Sequence, residues 1–176
     1  RSGDMFRSMV EHGDGKLTNY VWEITDAAFE EIQLLNPDVL IISGDLTLQG
    51  ERKSHEELAE KLEQVENAGI TVVVIPGNHD INNHDASVYY GARKEPAPYI
   101  DGPEFHEIYH EYGYDQALSR DVSSLSYVYV LDDRNWLLML DSCQYEPDNK
   151  VEGRLKDSTM PGLMNSWPGQ RRRECL

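Results

Sequence analysis

Residues 38–51, DVLIISGDLTLQGE, and residues 70–80, ITVVVIPGNHD, decide how this chain is read. Each opens as a continuous apolar run, Val39-Leu40-Ile41-Ile42 in the first and Val72-Val73-Val74-Ile75 in the second. Short apolar runs without alternation are the pattern of strands buried on both faces, and β-branched side chains suit a pleated strand. Each run breaks at a glycine, Gly44 or Gly77, into a cluster of polar side chains. Glycine lets a backbone turn sharply off a strand. Between the two runs, Leu58, Leu62 and Val65 share one helical stripe, with Ser54 and Glu57 as the expected capping box and Ala68-Gly69 as the stop. Strand, loop, helix and strand in that order predict a βαβ unit with parallel strands and a right-handed crossover. Asp45, Asn78 and His79 then converge beyond the carboxyl ends of adjacent strands, where open α/β sheets bind ligands.

Working outward, Val21, Ile24, Ala28, Ile32 and Leu35 recur at helical spacing and predict an amphipathic helix over 20–35. Thr18 or Asn19 is its expected cap, and Asn36-Pro37 ends it, because proline disfavours helix in the residue before it. Residues 78–103 are polar and rich in turn formers, too long for a simple connection, and are expected to form a loop built over a site. Residues 105–112 read as helix. Residues 126–131 and 136–140 read as two more strands, joined by a turn at Asp132-Asp133-Arg134-Asn135.

The 176 residues are 39% hydrophobic, enough for a core in one domain. With 32 acidic against 16 basic residues the formal net charge is −16, which argues against nucleic acid as a partner, since phosphate binding needs a basic face. It leaves phosphate chemistry open, because bound divalent cations can supply the positive charge. No apolar stretch approaches the ~18 residues of a spanning helix. Cys143 and Cys175 lie far apart with no Cys-x-x-Cys pair and are expected to be free thiols, the first buried. The first residue is Arg1, and nothing in the sequence indicates a compartment or an oligomeric state.

The pair GDLTLQGE and PGNHD on successive strands resembles the calcineurin-like metallophosphoesterase superfamily, over roughly residues 18–145. The resemblance implies an α/β fold of αββα sandwich type, with a central, mostly parallel sheet flanked by helices. It also implies a dinuclear centre of Mn, Fe or Zn ions that hydrolyses phosphate mono- or diesters by metal-hydroxide attack. By the same resemblance Asp45 bridges the two metals, Asn78 ligates one, His79 acts on the phosphate or the leaving group, and Asp80 orients the His79 imidazole. A carboxylate and an amide oxygen suit such metals, and histidine titrates near enough to neutrality to protonate an alkoxide. The substrate is then a small phosphoester or a phosphoprotein.

The family pattern also has an Asp-x-His on an opening strand and a late Gly-His-x-His, and neither occurs in this sequence. The expectation is a domain over 1–160 lacking both, weak or inactive alone, followed by an aberrant basic tail over 161–176. That tail holds Pro161-Gly162, Trp167-Pro168-Gly169 and Arg171-Arg172-Arg173. A displaced reading frame from Met160 can encode an amphipathic helix ending in glycine and then proline, so a frame slip is expected there. The competing class is a non-catalytic binding or scaffold domain of the same fold. A third, distant reading is a zinc protease through His106-Glu107-Ile108-Tyr109-His110. Against it, an apolar face of Phe105, Ile108, Tyr109 and Tyr112 sets both histidines on the solvated side. His84 and Asp85 read as solvated loop residues, Asp141 as a structural cap, and Asp14 lacks the alternating ligands of a calcium loop.

Overall fold

The computed structural model describes residues 3–13, 15–146 and 149–164. Helix α1 (Asp4–Glu11) leads through a 3₁₀ turn (Thr18–Tyr20) to α2 (Val21–Leu35). Strand β1 (Val39–Ile42), helix α3 (Arg52–Asn67) and strand β2 (Thr71–Val74) follow as the expected βαβ unit. The remaining elements are the hairpin β3 (Ser87–Tyr90) and β4 (Arg93–Pro96), α4 (Gly102–Tyr109), a kinked π-type turn (His110–Tyr114), β5 (Ser119–Arg120), β6 (Tyr127–Val130), β7 (Trp136–Met139) and α5 (Thr159–Met164). The α/β class is as the sequence implied, built of small sheets. Among the described residues parallel pairing is confined to β1 and β2, in register from Val39 opposite Thr71 to Ile42 opposite Val74. The β3–β4 hairpin and the β5–β6–β7 meander are antiparallel.

The core gathers around β2. Val72, Val73 and Val74 are at most 1% exposed, and the α3 stripe supplies Leu62 and Val65 from one side. Phe105 and Tyr109 of α4 pack against each other with ring centroids 4.6 Å apart, and Tyr114 meets Tyr127 at 4.5 Å. Buried tyrosines need partners for their hydroxyls, and two of them donate to the βαβ unit: Tyr127 to the Val74 carbonyl at 2.7 Å and Tyr112 to the Ala59 carbonyl at 2.7 Å.

Several local expectations are corrected. β1 is not buried on both faces: none of its four residues is fully buried, and Ile41 is 46% exposed. α2 forms over the predicted range and ends at Asn36 in a left-handed conformation (φ 45°), but it has no side-chain cap and no fully buried residue. α3 begins at Arg52, ahead of Ser54, so the Ser54–Glu57 box does not form. A capping box does form at α4, where Asp101 accepts from the Glu104 N–H at 2.8 Å and Glu104 accepts from the Asp101 N–H at 2.9 Å. The 78–103 stretch is not bare loop: it carries the β3–β4 hairpin, onto which α1 packs through Phe6 and Tyr89 with rings 5.6 Å apart.

Residues 161–164 lie in α5, whose Thr159 and Leu163 are buried. The rest of the tail, with Arg171-Arg172-Arg173 and Cys175, lies outside the described residues, as do Arg1 and Asp14. No helix among the described residues is long and apolar enough to cross a membrane.

Candidate active site

The polar clusters after β1 and β2 meet because two glycines touch. A Cβ at Gly44 (φ 103°) would lie 2.6 Å from the Gly77 Cα and nitrogen, and a Cβ at Gly77 would lie 2.2 Å from the Asp45 nitrogen and Oδ1. Only hydrogen fits at either position. The turn off β1 puts Asp45 itself at φ 52°, a left-handed conformation that aspartate tolerates better than most residues. Non-glycine residues held in that region cluster at functional sites. Its carboxylate is exposed, and Oδ1 accepts from the His79 N–H at 3.3 Å. Asp45 and His79 are therefore brought together, with Asn78 beside them in the chain.

Asp80 is fully buried, and it fastens the junction from below. Its Oδ1 accepts from the Thr47 N–H at 2.9 Å and the Thr47 hydroxyl at 3.0 Å. Its Oδ2 accepts from the Gly77 N–H at 2.8 Å and the Leu46 N–H at 3.1 Å. Burial pushes this carboxyl above the usual carboxylate range, against the pull of those four donors. The expected contact between Asp80 and the His79 ring is absent from this set, which corrects the role read from the sequence. The imidazole is held instead by the main chain, Nδ1 lying 2.7 Å from the Leu48 carbonyl. A carbonyl only accepts, so Nδ1 carries the hydrogen and Nε2 is the nitrogen left for chemistry.

Other side chains lock the same backbone. Asn149 donates through Nδ2 to the carbonyls of Asn78 at 2.6 Å and Ile81 at 2.7 Å. Asn83 donates to Gln49 Oε1 at 2.9 Å and to the His79 carbonyl at 3.1 Å. Under the junction, His55 Nε2–H donates to the Asp80 carbonyl at 3.0 Å, and its Nδ1 lies 2.9 Å from the Tyr109 hydroxyl. Burial lowers the His55 pKa to about 4, so this histidine is neutral at pH 7. Cys143 Sγ donates to the Pro76 carbonyl at 3.4 Å, and burial pushes its thiol up to about 12. Thr47 and Leu48 lay inside the motif that carried the family resemblance, unrecognised as anchors. Asn149 and His55 come from remote segments, and no local pattern marks them.

The other sequence candidates lie elsewhere. His84 sets its ring edge-on to Tyr99 at 4.9 Å, and Asp85 is exposed. Asp141 ties the chain after β7, accepting from the Leu125 N–H, the Cys143 N–H and the Tyr145 hydroxyl. The two histidines of the protease motif do not share a helix, since α4 ends at Tyr109. His106 is turned inward rather than solvated, with its ring against Tyr114 at 5.2 Å and Nε2 buried. His110 pairs Nδ1 with Asp115 Oδ2 at 2.7 Å. No zinc protease is assembled there.

A metal centre requires more donors than converge. Asp45 and Asn78 carry a carboxylate and an amide oxygen, the right chemistry for Mn²⁺, Fe²⁺ or Zn²⁺. Among the described residues, however, no group of three or more His, Cys, Asp or Glu is placed to hold a metal ion. These residues alone do not make a dinuclear site.

A parallel βαβ unit whose two polar loops close over facing glycines, with an aspartate pressed against an Asn-His pair, belongs to the metallophosphoesterase class. Residues 12–159 match the family model of the calcineurin-like phosphoesterases, and the chain belongs to that family. No curated protein matches it.

Proposed function

We propose that this chain is a phosphoester hydrolase of the metal-dependent kind, acting on phosphate mono- or diesters, with the Asp45–His79 junction at its reacting centre. The observation that supports this reading most is the fixed tautomer of His79 beside the exposed Asp45 carboxylate. Protonated at Nε2, the imidazole can hydrogen-bond a phosphoryl oxygen or give its proton to the departing alkoxide, which leaves as the alcohol. Asp45 and Asn78 would offer oxygen donors to divalent cations, which, if bound, would supply water activation and charge neutralisation. The remaining ligands are not among the described residues, so turnover by this chain is expected to be slow.

The test is Mn²⁺-dependent hydrolysis of bis-p-nitrophenyl phosphate and p-nitrophenyl phosphate by the chain and by Asp45→Ala and His79→Ala. A rate that falls at least tenfold in both variants supports the reading. A rate for the unaltered chain no greater than that of either variant sinks it. The second reading, a binding or scaffold domain that keeps the fold, is favoured by the short donor set. It takes over in that second outcome.

A further inference from the structure

A cavity of about 910 Å³ opens directly beside Asp45, Thr47 and His79. It is lined by Leu17, by Val21, Trp22 and Ile24 from the start of α2, and by Leu48 and Leu58. Leu17, Val21, Trp22 and Ile24 are between 46% and 61% exposed, a cluster of large apolar side chains facing an opening rather than a packed core. Lys16, Lys53 and Lys61 also line it; Lys53 lies 3.4 Å from Glu57 Oε1, and Lys61 pairs with Asp26 while sitting 4.9 Å above the Trp22 ring. Carboxylates of Asp45, Glu51 and Glu57 are on the same walls, in a chain of net charge −16.

We propose that this cavity seats the alcohol part of the substrate, and that this part is an uncharged aryl or alkyl group rather than a nucleotide or other polyanion. The inference rests on the phosphoesterase reading for the phosphate end and on the cavity alone for the apolar end. The size matches that of pockets that enclose a small organic ligand. An apolar group entering it covers side chains that water now reaches, while a second anionic group meets the Asp45 and Glu51 carboxylates and finds Lys53 and Lys61 already paired. The cation over Trp22 holds that ring in place as a flat wall.

The experiment measures binding without metal, by calorimetry and by quenching of tryptophan emission, with 1-naphthol, 1-naphthyl phosphate, phenyl phosphate, AMP and inorganic phosphate as probes. Both naphthyl compounds are expected to bind at least tenfold more tightly than AMP, and a series of alkyl phosphates to tighten about four-fold per methylene. Trp22→Phe should remove the quenching while calorimetry still registers binding. Ile24→Asp should weaken naphthol at least tenfold; α2 buries no residue fully, so the variant is expected to fold. AMP binding as tightly as naphthyl phosphate, or naphthol indifferent to Ile24→Asp, overturns the proposal. Naphthol binding needs neither Asp45 nor a metal, so it separates the two readings. Retained naphthol binding with no Mn²⁺-dependent hydrolysis upholds the apolar site and removes the catalytic reading. Hydrolysis of 1-naphthyl phosphate unaffected by Ile24→Asp does the reverse.

Discussion

The two strands of the parallel unit live in different surroundings. β2 is enclosed by α3, by α4 and by the aromatic side chains that follow it, and Val72 to Val74 see almost no solvent. β1 has no fully buried residue, and the helix before it, α2, leaves Leu34 86% and Leu35 73% exposed. Yet each strand delivers one half of the same junction. Asp45 therefore owes its position to contacts with the β2 side, through Gly77, His79 and the buried Asp80, more than to the packing of its own strand. One flank holds both loops.

The largest test of that asymmetry is Asp80→Ala. It strips four donors of their shared acceptor in a buried place, and should destabilise the fold by about 3–5 kcal/mol in urea unfolding followed by circular dichroism. A loss under about 1 kcal/mol would mean that the junction is held by something other than this carboxylate. Leu62→Ala, on the α3 face against β2, should cost about 3 kcal/mol by leaving a cavity.

Next comes pH. His55 titrates at about 4 when folded against 6.5 for an unperturbed histidine, chiefly through burial. Between those values the unfolded chain binds the extra proton, so this group makes stability rise with pH from about 4 to 6.5 and takes it away as pH falls, by up to about 3 kcal/mol. Asp80, with its carboxyl raised, acts in the opposite direction above its ordinary 3.8. The His55 share is isolated as the difference in urea midpoints between wild type and His55→Gln across pH 4–7. A variant with an unchanged pH slope would show that His55 is not the group responsible. The smallest effect belongs to the open flank: Leu34→Ser should shift stability by no more than about 0.5 kcal/mol. A cost above about 2 kcal/mol would show that α2 is covered in solution and would erase the contrast.

Much of this architecture was legible in the sequence because its signals are local. The two apolar runs, the Leu58-Leu62-Val65 stripe and the glycines at 44 and 77 gave the βαβ unit and put Asp45, Asn78 and His79 at one end of it. Burial was less legible, since an apolar run looks the same whether or not anything packs on its outer side, and β1 was read as enclosed. The hairpin within 78–103 is hard to see in the sequence because Arg93–Pro96 has no strand-forming side chain, which leaves Val88-Tyr89-Tyr90 as a short run with no visible partner. The partner of His79 escaped for another reason. It is a main-chain oxygen, and every residue type has one.

That last contact has a consequence for mutational robustness. A side-chain partner for the imidazole could be deleted by a single base change. The carbonyl of Leu48 survives any substitution at position 48 that leaves the loop in place, so the proton on Nδ1 is insured against point mutation there. The protonation pattern of His79 is instead a reporter of loop geometry. Nitrogen-15 shifts of that ring should stay constant through a scan of side chains at position 48, and move when Thr47 or Asp80 is changed.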